Sequence, residues 1–277
     1  MQLLRYRPAS PLDTFIDCFW YSRGYAPQRR RERALPGGRA DLTFNLHEDR
    51  IRTFTSAEDK LGLMARGAVV HGPQSRYFVL DARRHVHVVG VHFLPGGGSL
   101  LGVPLSELCD RHVPLEDLWG ERAACLREQL IEAAAPRAMF AILEQELLRS
   151  LRQTTLVHPA ISFALRRFDA GPMTARIEPI RRQTGYSERR FATLFSDGVG
   201  MTPKRYARVQ RLSRVVRDLA SGRADLAGIA LQAGYYDQAH LNHDFRELAG
   251  TSPGNYTPMP GRNSLHESIE SDAPVKR

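Results

Sequence analysis

The stretch Ile177-x-x-Ile180-x-x-Gln183-x-Gly185-Tyr186 returns 49 positions later as Leu226-x-x-Ile229-x-x-Gln232-x-Gly234-Tyr235. Past the glycines the offset becomes 50, so that Phe191 answers Leu241, Phe195 answers Phe245, Gly200 answers Gly250, Pro203 answers Pro253 and Tyr206 answers Tyr256. Two copies at a fixed period identify an internal repeat, the second copy carrying one more residue in its turn.

Each copy reads as a short helix, a turn at the glycine and a second helix. Ile177 and Ile180 share one helical face, and Phe191, Leu194 and Phe195 recur at three and four, so each helix has one stripe to bury. Gly185 and Gly234 stand where a sharp turn needs positive φ. Ser187 and Asp237 are then placed to cap the helix that follows. Between the copies, Thr202-Pro203 marks a capped start with proline at the first helical position. Tyr206, Val209, Leu212, Val216 and Leu219 carry one face of that helix to Ala220, where Ser221-Gly222 ends it. About 17 residues make a strut of about 25 Å, suited to holding two helices in successive major grooves about 34 Å apart.

Gly185-Tyr186-Ser187, Phe191-x-x-x-Phe195, Gly200-Met201-Thr202-Pro203-x-x-Tyr206 and Arg211-Leu212, with the second copy through Gly250-Thr251-Ser252-Pro253-x-x-Tyr256, resemble the DNA-binding domain of AraC/XylS-type transcriptional regulators. The resemblance covers about 100 residues, from near His158 to Tyr256, and implies two helix-turn-helix motifs. It departs at Arg181, where the second copy has Ala230 and the family a small residue. An unpaired guanidinium is costly to bury, so the first helix is expected to rotate or Arg181 to reach the surface. Carried over position by position, the resemblance implies base reading by Arg189, Ala192 and Thr193 in the first copy and Gln238, Ala239, Asn242 and His243 in the second. Arginine matches guanine, glutamine and asparagine match adenine, and alanine or threonine meets the thymine methyl. Arg190, Lys204, Arg205, Arg208 and Arg246 are expected on phosphates, setting register without reading sequence.

The net charge of +9 is uneven: residues 158–257 hold 15 Lys or Arg against 9 Asp or Glu, residues 1–157 hold 21 against 18. The excess lies where the repeat lies, which fits a polyanionic partner. Cys18, Cys109 and Cys125 are too far apart for a disulfide framework or a zinc finger. Residues 1–10 lack an apolar signal-peptide core and no window reaches 18 apolar residues, which predicts a cytoplasmic protein without a membrane partner.

Residues 1–113 read as β-rich. Apolar runs at Phe15–Tyr21, Leu42–Leu46, Ala68–His71, Tyr77–Leu80 and His85–Leu94 are bounded by Pro36-Gly37-Gly38, Gly72-Pro73 and Pro95-Gly96-Gly97-Gly98. Leu35 to Leu42, Gly72-Pro73-Gln74 and Val89 to Gly97 are similar to the N-terminal domain of a subset of AraC-like regulators, implying a divergent cupin-like barrel that senses a small molecule. His85 and His87 should share one strand face and His92 the other. Cupin metal centres resemble a close His pair followed by Glu and a distant His; no carboxylate follows His87 closely and Arg83-Arg84 opposes a cation, so neither metal nor other cofactor is expected. Trp20, Tyr21 and Tyr77 are candidates to line an effector cavity, with strand core as the alternative. The run Arg29-Arg30-Arg31-Glu32-Arg33 reads as a solvated loop or a phosphate contact.

Residues 114–155 turn helical, with Pro136 dividing two helices; they form a dimer surface or pack on their own barrel. Gln153-Thr154-Thr155 is the expected hinge, residues 156–257 the DNA-binding domain, and residues 258–277, without apolar period, a disordered tail. The fold class is therefore α+β and multidomain. The expected function is a sequence-specific transcriptional regulator without catalytic residues, binding double-stranded promoter or operator DNA, with a small-molecule effector, a second copy of the chain and RNA polymerase as further partners. The rival readings are a cupin-type metalloenzyme or an alkyl-transfer repair protein fused to a DNA-binding domain, and a non-specific architectural binder. None of the three cysteines sits in the Pro-Cys-His-Arg-like motif that alkyl transfer would imply.

Overall fold

The structure is a computed structural model and describes residues 1–26, 30–153, 157–170, 177–259 and 265–268. In chain order the strands are β1 (Gln2–Tyr6), β2 (Ile16–Arg23), β3 (Arg31–Ala34), β4 (Asp41–Asn45), β5 (Ile51–Phe54), β6 (Leu63–Ala65), β7 (Ala68–His71), β8 (Phe78–Asp81), β9 (His87–Phe93), β10 (His112–Pro114) and β11 (His266–Ser268). The helices are α1 (Leu105–Leu108), α2 (Leu115–Trp119), α3 (Glu121–Glu132), α4 (Pro136–Gln153), α5 (Pro159–Ala170), α6 (Ile177–Thr184), α7 (Glu188–Val199), α8 (Pro203–Ala220), α9 (Leu226–Gln232) and α10 (Gln238–Ala249).

The β-rich half forms two antiparallel sheets, ordered β1-β2-β9-β4-β7-β10 and β11-β3-β8-β5-β6. Among the described residues no strand pairing closes them, so the expected barrel is an open, two-sheet version of itself. The alternation of β2 and β9 puts Phe19, Tyr21, Val89, Val91 and Phe93 into one core, in register Phe19↔Val91 and Tyr21↔Val89. Opposite Trp20, Gly90 leaves room for the indole: a Cβ there would lie 2.5 Å from the ring.

Of the two uses expected for residues 114–152, the structure shows the second. Leu126, Leu130, Met139, Phe140, Leu143 and Leu147 join the same core as Phe19 and Val91, with Phe140 stacked on Phe19 at 6.2 Å. Arg127 fastens α3 to the sheet by donating to the Asn45 carbonyl (2.9 Å). The burial of an apolar stripe against the nearest apolar sheet, not helix propensity, fixes these helices. Thr154 and Thr155 of the expected hinge lie outside the described residues.

Further expectations are corrected or resolved between their alternatives. His85 is not on the strand with His87 but ends a 3-10 turn before it, and its ring faces a different neighbourhood. The run at Arg30–Arg33 is not a solvated loop: Arg31 opens β3, and Glu32 and Arg33 are buried; Arg29 lies outside the described residues. Tyr21 is core, whereas Tyr77 faces the helical half, its N–H donating to the Leu248 carbonyl (2.7 Å). Part of the expected disordered tail is a strand, β11, paired antiparallel with β3.

In the helical half the repeat folds as two clusters sharing one strut. Ile161, Phe168, Ile180, Phe191, Phe195, Tyr206 and Val209 form the first. Leu212, Val215, Val216, Ile229, Leu241, Phe245 and Tyr256 form the second. The first half of α8 therefore belongs to one motif and the second half to the other. At 18 residues the strut is about 27 Å long. No helix among the described residues is long and apolar enough to cross a membrane.

Candidate nucleic-acid interface and effector cavity

The second helix of each copy, α7 or α10, is set by a glycine turn and a cap. Gly185 and Gly234 have φ of +75° and +77°, a region that favours glycine. Ser187 Oγ then accepts from the Arg190 N–H (3.4 Å) and Asp237 Oδ1 from the His240 N–H (2.7 Å). With Phe191, Phe195, Leu241 and Phe245 turned inward, the opposite face is forced outward. Arg189, Thr193, Gln238, Ala239 and His243 are exposed, and Ala192 and Asn242 half-buried on the same side. The seven residues expected to read bases thus fall on the two open helix faces.

The phosphate-contact set divides. Arg190, Lys204 and Arg246 are exposed. Arg205 is exposed but pairs with Asp110 of the β-rich half (3.4 Å). Arg208 is committed elsewhere: its guanidinium donates to Asp244 Oδ1 (2.5 Å) and Glu247 Oε2 (2.7 Å), locking α8 to α10. Those bonds hold Arg208 charged, with its pKa raised by Glu247 and then Asp244. A fork engaged by two carboxylates has little left to give a phosphate, so Arg208 is a brace.

Arg181 takes the second of its two expected courses. Its half-buried side chain is paired rather than orphaned, donating to both oxygens of the exposed Glu178 (2.6 and 2.9 Å) and to the Tyr186 carbonyl (2.6 Å). Ile180 stays buried, so the first motif keeps its core. Sequence reasoning passed over Leu231 and Tyr236, which are 65% and 88% exposed. Tyr236 is the additional residue of the second copy, directly before the Asp237 cap, which was the one available signal.

A cleft of ≈ 1040 Å³, part of it open to solvent, lies between the two sheets. One wall is polar, built on the first sheet by Trp20, Asp41, His71 and His92; the other is largely apolar, with Leu35, Phe78 and Leu80. His85, Leu265 and His266 complete it. Trp20 alone of the three aromatic candidates lines it. Burial pushes the Asp41 carboxyl up, but His92 (2.5 Å) and Arg39 outweigh it and hold the group at about 2. His71 faces His112, Nδ1 to Nδ1 at 2.8 Å. Burial, and then the His112 ring, keep His71 well below the usual imidazole range, and burial lowers His112 to about 4. Among the described residues no group of three or more His, Cys, Asp or Glu side chains is placed to hold a metal. Sequence alone could not assemble this wall, because its members come from strands distant in the chain.

A sequence-family model described as a helix-turn-helix domain matches residues 180–258, and one described as a domain of unknown function (DUF6597) matches residues 4–114. The HTH-type transcriptional regulator AlkR of Acinetobacter baylyi is 32% identical over 133 residues, covering 48% of this chain and 39% of AlkR. A protein of Streptomyces antibioticus named as an AraC-like transcription regulator is 30% identical over 108 residues, covering 38% of this chain and 36% of its own. The helical half carries a helix-turn-helix domain, and the chain is similar to AraC-like transcription regulators. The chain spans 39% and 36% of the length of these two relatives. Among solved structures, a lysine-to-alanine variant of apo ToxT from Vibrio cholerae aligns over 86% of this chain and 96% of its own at 11% identity and a TM-score of 0.49. Unsaturated-fatty-acid-bound ToxT aligns over 86% and 92% at 9% identity and a TM-score of 0.44. Within the matched region the second helices of the two helix-turn-helix copies are α7 and α10.

Proposed function

We propose that this chain is a sequence-specific transcriptional regulator whose AraC-type domain reads double-stranded DNA with both recognition helices, under the control of a small molecule held in the cleft between the sheets. The observation that carries the proposal is the open face of α7 and α10, where polar residues matched to base edges stand exposed on helices fixed by cap and core. Gln238 and Asn242 offer the paired donor and acceptor that match adenine, which supports base reading over backbone binding alone. A second copy of the chain and RNA polymerase are the further partners that transcriptional control would call on.

The test is selection of bound sites from random double-stranded DNA by the full chain at two salt concentrations. The expected result is an asymmetric site with two blocks about one helical turn apart. One block alone would remove the copy carrying Arg181 from base reading, and no enrichment would overturn the proposal. On the selected site, Asn242→Ala is expected to lose about 1–3 kcal/mol of discrimination at one base position. Lys204→Ala should instead weaken all sequences alike and flatten the salt slope by about one unit. Identical behaviour of the two variants across a panel of sites would show the division of roles to be wrong.

A further inference from the structure

The strand that follows the AraC-type domain does not stay with it. β11 completes the outer edge of the sensor's second sheet, pairing His266↔Ala34, Glu267↔Arg33 and Ser268↔Glu32. Its central residue is bonded to both halves of the protein: the Glu267 carboxylate accepts from Arg33 Nη1 (2.5 Å) and from the Thr257 N–H (3.2 Å). Arg33 and Glu267 are 7% and 4% exposed. Breaking such a buried pair by removing one partner leaves an uncompensated charge, so the pair ties β11 to β3.

The joint continues into the DNA-binding half. The Leu265 carbonyl accepts from the Leu35 N–H (2.7 Å), and Leu35 is packed in the core of the second motif. The adjoining carbonyls of Pro36 and Gly37 accept from Ser213 and Gln210 of α8, each at 3.3 Å. Strand, loop and strut are one run of contacts.

In this docked arrangement the recognition helices are tied to the sensor at their trailing ends. Ser106 donates to Asp197 near the end of α7 (2.8 Å), and the Tyr77 N–H to the Leu248 carbonyl near the end of α10. Both contacts join the trailing ends of α7 and α10 to the β-rich half, while α8 links the two helices to each other through their cores. The same arrangement engages Arg205 with Asp110 and so withdraws one cation from phosphate.

We propose that β11 is an autoinhibitory latch: docked on β3, it holds the AraC-type domain against the sensor in a state of lower DNA affinity, an inference that rests on the DNA-binding function proposed above. Because Leu265 and His266 also line the cleft, an occupant of the cleft touches the latch directly. By linkage, anything that binds the released and docked forms unequally shifts the balance between them.

The test compares three proteins on the selected site at two salt concentrations: the full chain, the chain ended at Met259, and Glu267→Gln. Amide exchange over residues 31–34, and over 265–268 in the two full-length proteins, reports docking, and circular dichroism reports folding. The shortened chain is expected to bind about threefold to tenfold more tightly, with a salt slope steeper by about one unit as Arg205 is freed. Glu267→Gln should shift both in the same direction by less, with faster exchange in both strands. Faster exchange with unchanged or weaker DNA binding would overturn the latch. Failure of all three proteins to select any site would overturn the DNA-binding function beneath it, an outcome distinct from equal, measurable affinities.

Discussion

Asp244→Ala is expected to unfold the second motif before the rest of the protein. Asp244 is 3% exposed and receives Arg208 at 2.5 Å, with Arg211 at 3.9 Å. Without the carboxylate, Arg208 keeps only Glu247, and the Arg211 guanidinium, stacked over Tyr235 at 5.2 Å, faces a hole. Removing one partner of a buried pair costs about 3–5 kcal/mol; Arg208's partial exposure and its remaining partner lower the expectation to about 2–3 kcal/mol. That corresponds to a melting temperature lower by about 10 °C or more for a domain of this size, with amide protection lost first in α9 and α10. The selected DNA site should shrink to the block read by α7. Arg208→Ala separates brace from phosphate contact. A brace loses stability and leaves the salt slope unchanged, whereas a slope flatter by about one unit with an unaltered melt would restore Arg208 to the phosphate set.

The β-rich half is expected to weaken between neutral pH and about pH 4. His71 and His112 are held below the ordinary imidazole pKa by burial, so in the fold both stay neutral over a range in which the unfolded chain takes up protons. Stability then falls as pH drops, because the unfolded state binds more protons. With His112 lowered from 6.5 to about 4, the loss from that group alone is on the order of 3 kcal/mol across the window. Asp41, held at about 2, acts lower: its contribution is intact above the unfolded carboxylate pKa of about 4 and is lost as pH falls toward 2. Thermal melts from pH 7 to pH 4.5 should therefore show a falling transition that His112→Phe flattens. An equal slope in His112→Phe would exclude the His71–His112 pair as its source.

Much of the DNA-binding half was legible because its determinants are local. A glycine at positive φ and a cap one turn before a buried apolar pair act within a few residues and are written twice by the duplication, and Thr202-Pro203 opens the strut between the copies. The seven candidate base-reading positions were carried over from the family resemblance; the inward placement of Phe191, Phe195, Leu241 and Phe245 is what turns that face of each helix outward. The carboxylate partners of Arg208 were not legible, for the opposite reason. Its partners Asp244 and Glu247 lie 36 and 39 positions away, and nothing in local pattern separates a braced guanidinium from a free one.

The β-rich half was legible only as runs of strand. Its pairing joins β2 to β9 and β4, which precedes β5, to both β9 and β7, and such long-range partners are chosen by which apolar faces can be buried together. The same holds for the helices after Pro114, which the sheet claimed for its own core, and for the polar wall of Trp20, Asp41, His71 and His92. The short segment Leu265–Ser268 has no apolar period of its own; it is a strand because β3 offers an unpaired edge and Arg33 a buried charge that needs Glu267. By itself the sequence determined the two helix-turn-helix motifs, their strut and the residues they turn outward, since backbone and side-chain preferences within a few turns suffice for them. Only the tertiary structure decided which arginines are braced by carboxylates, what lines the cleft and where Leu265–Ser268 docks, because each depends on groups brought together from distant parts of the chain.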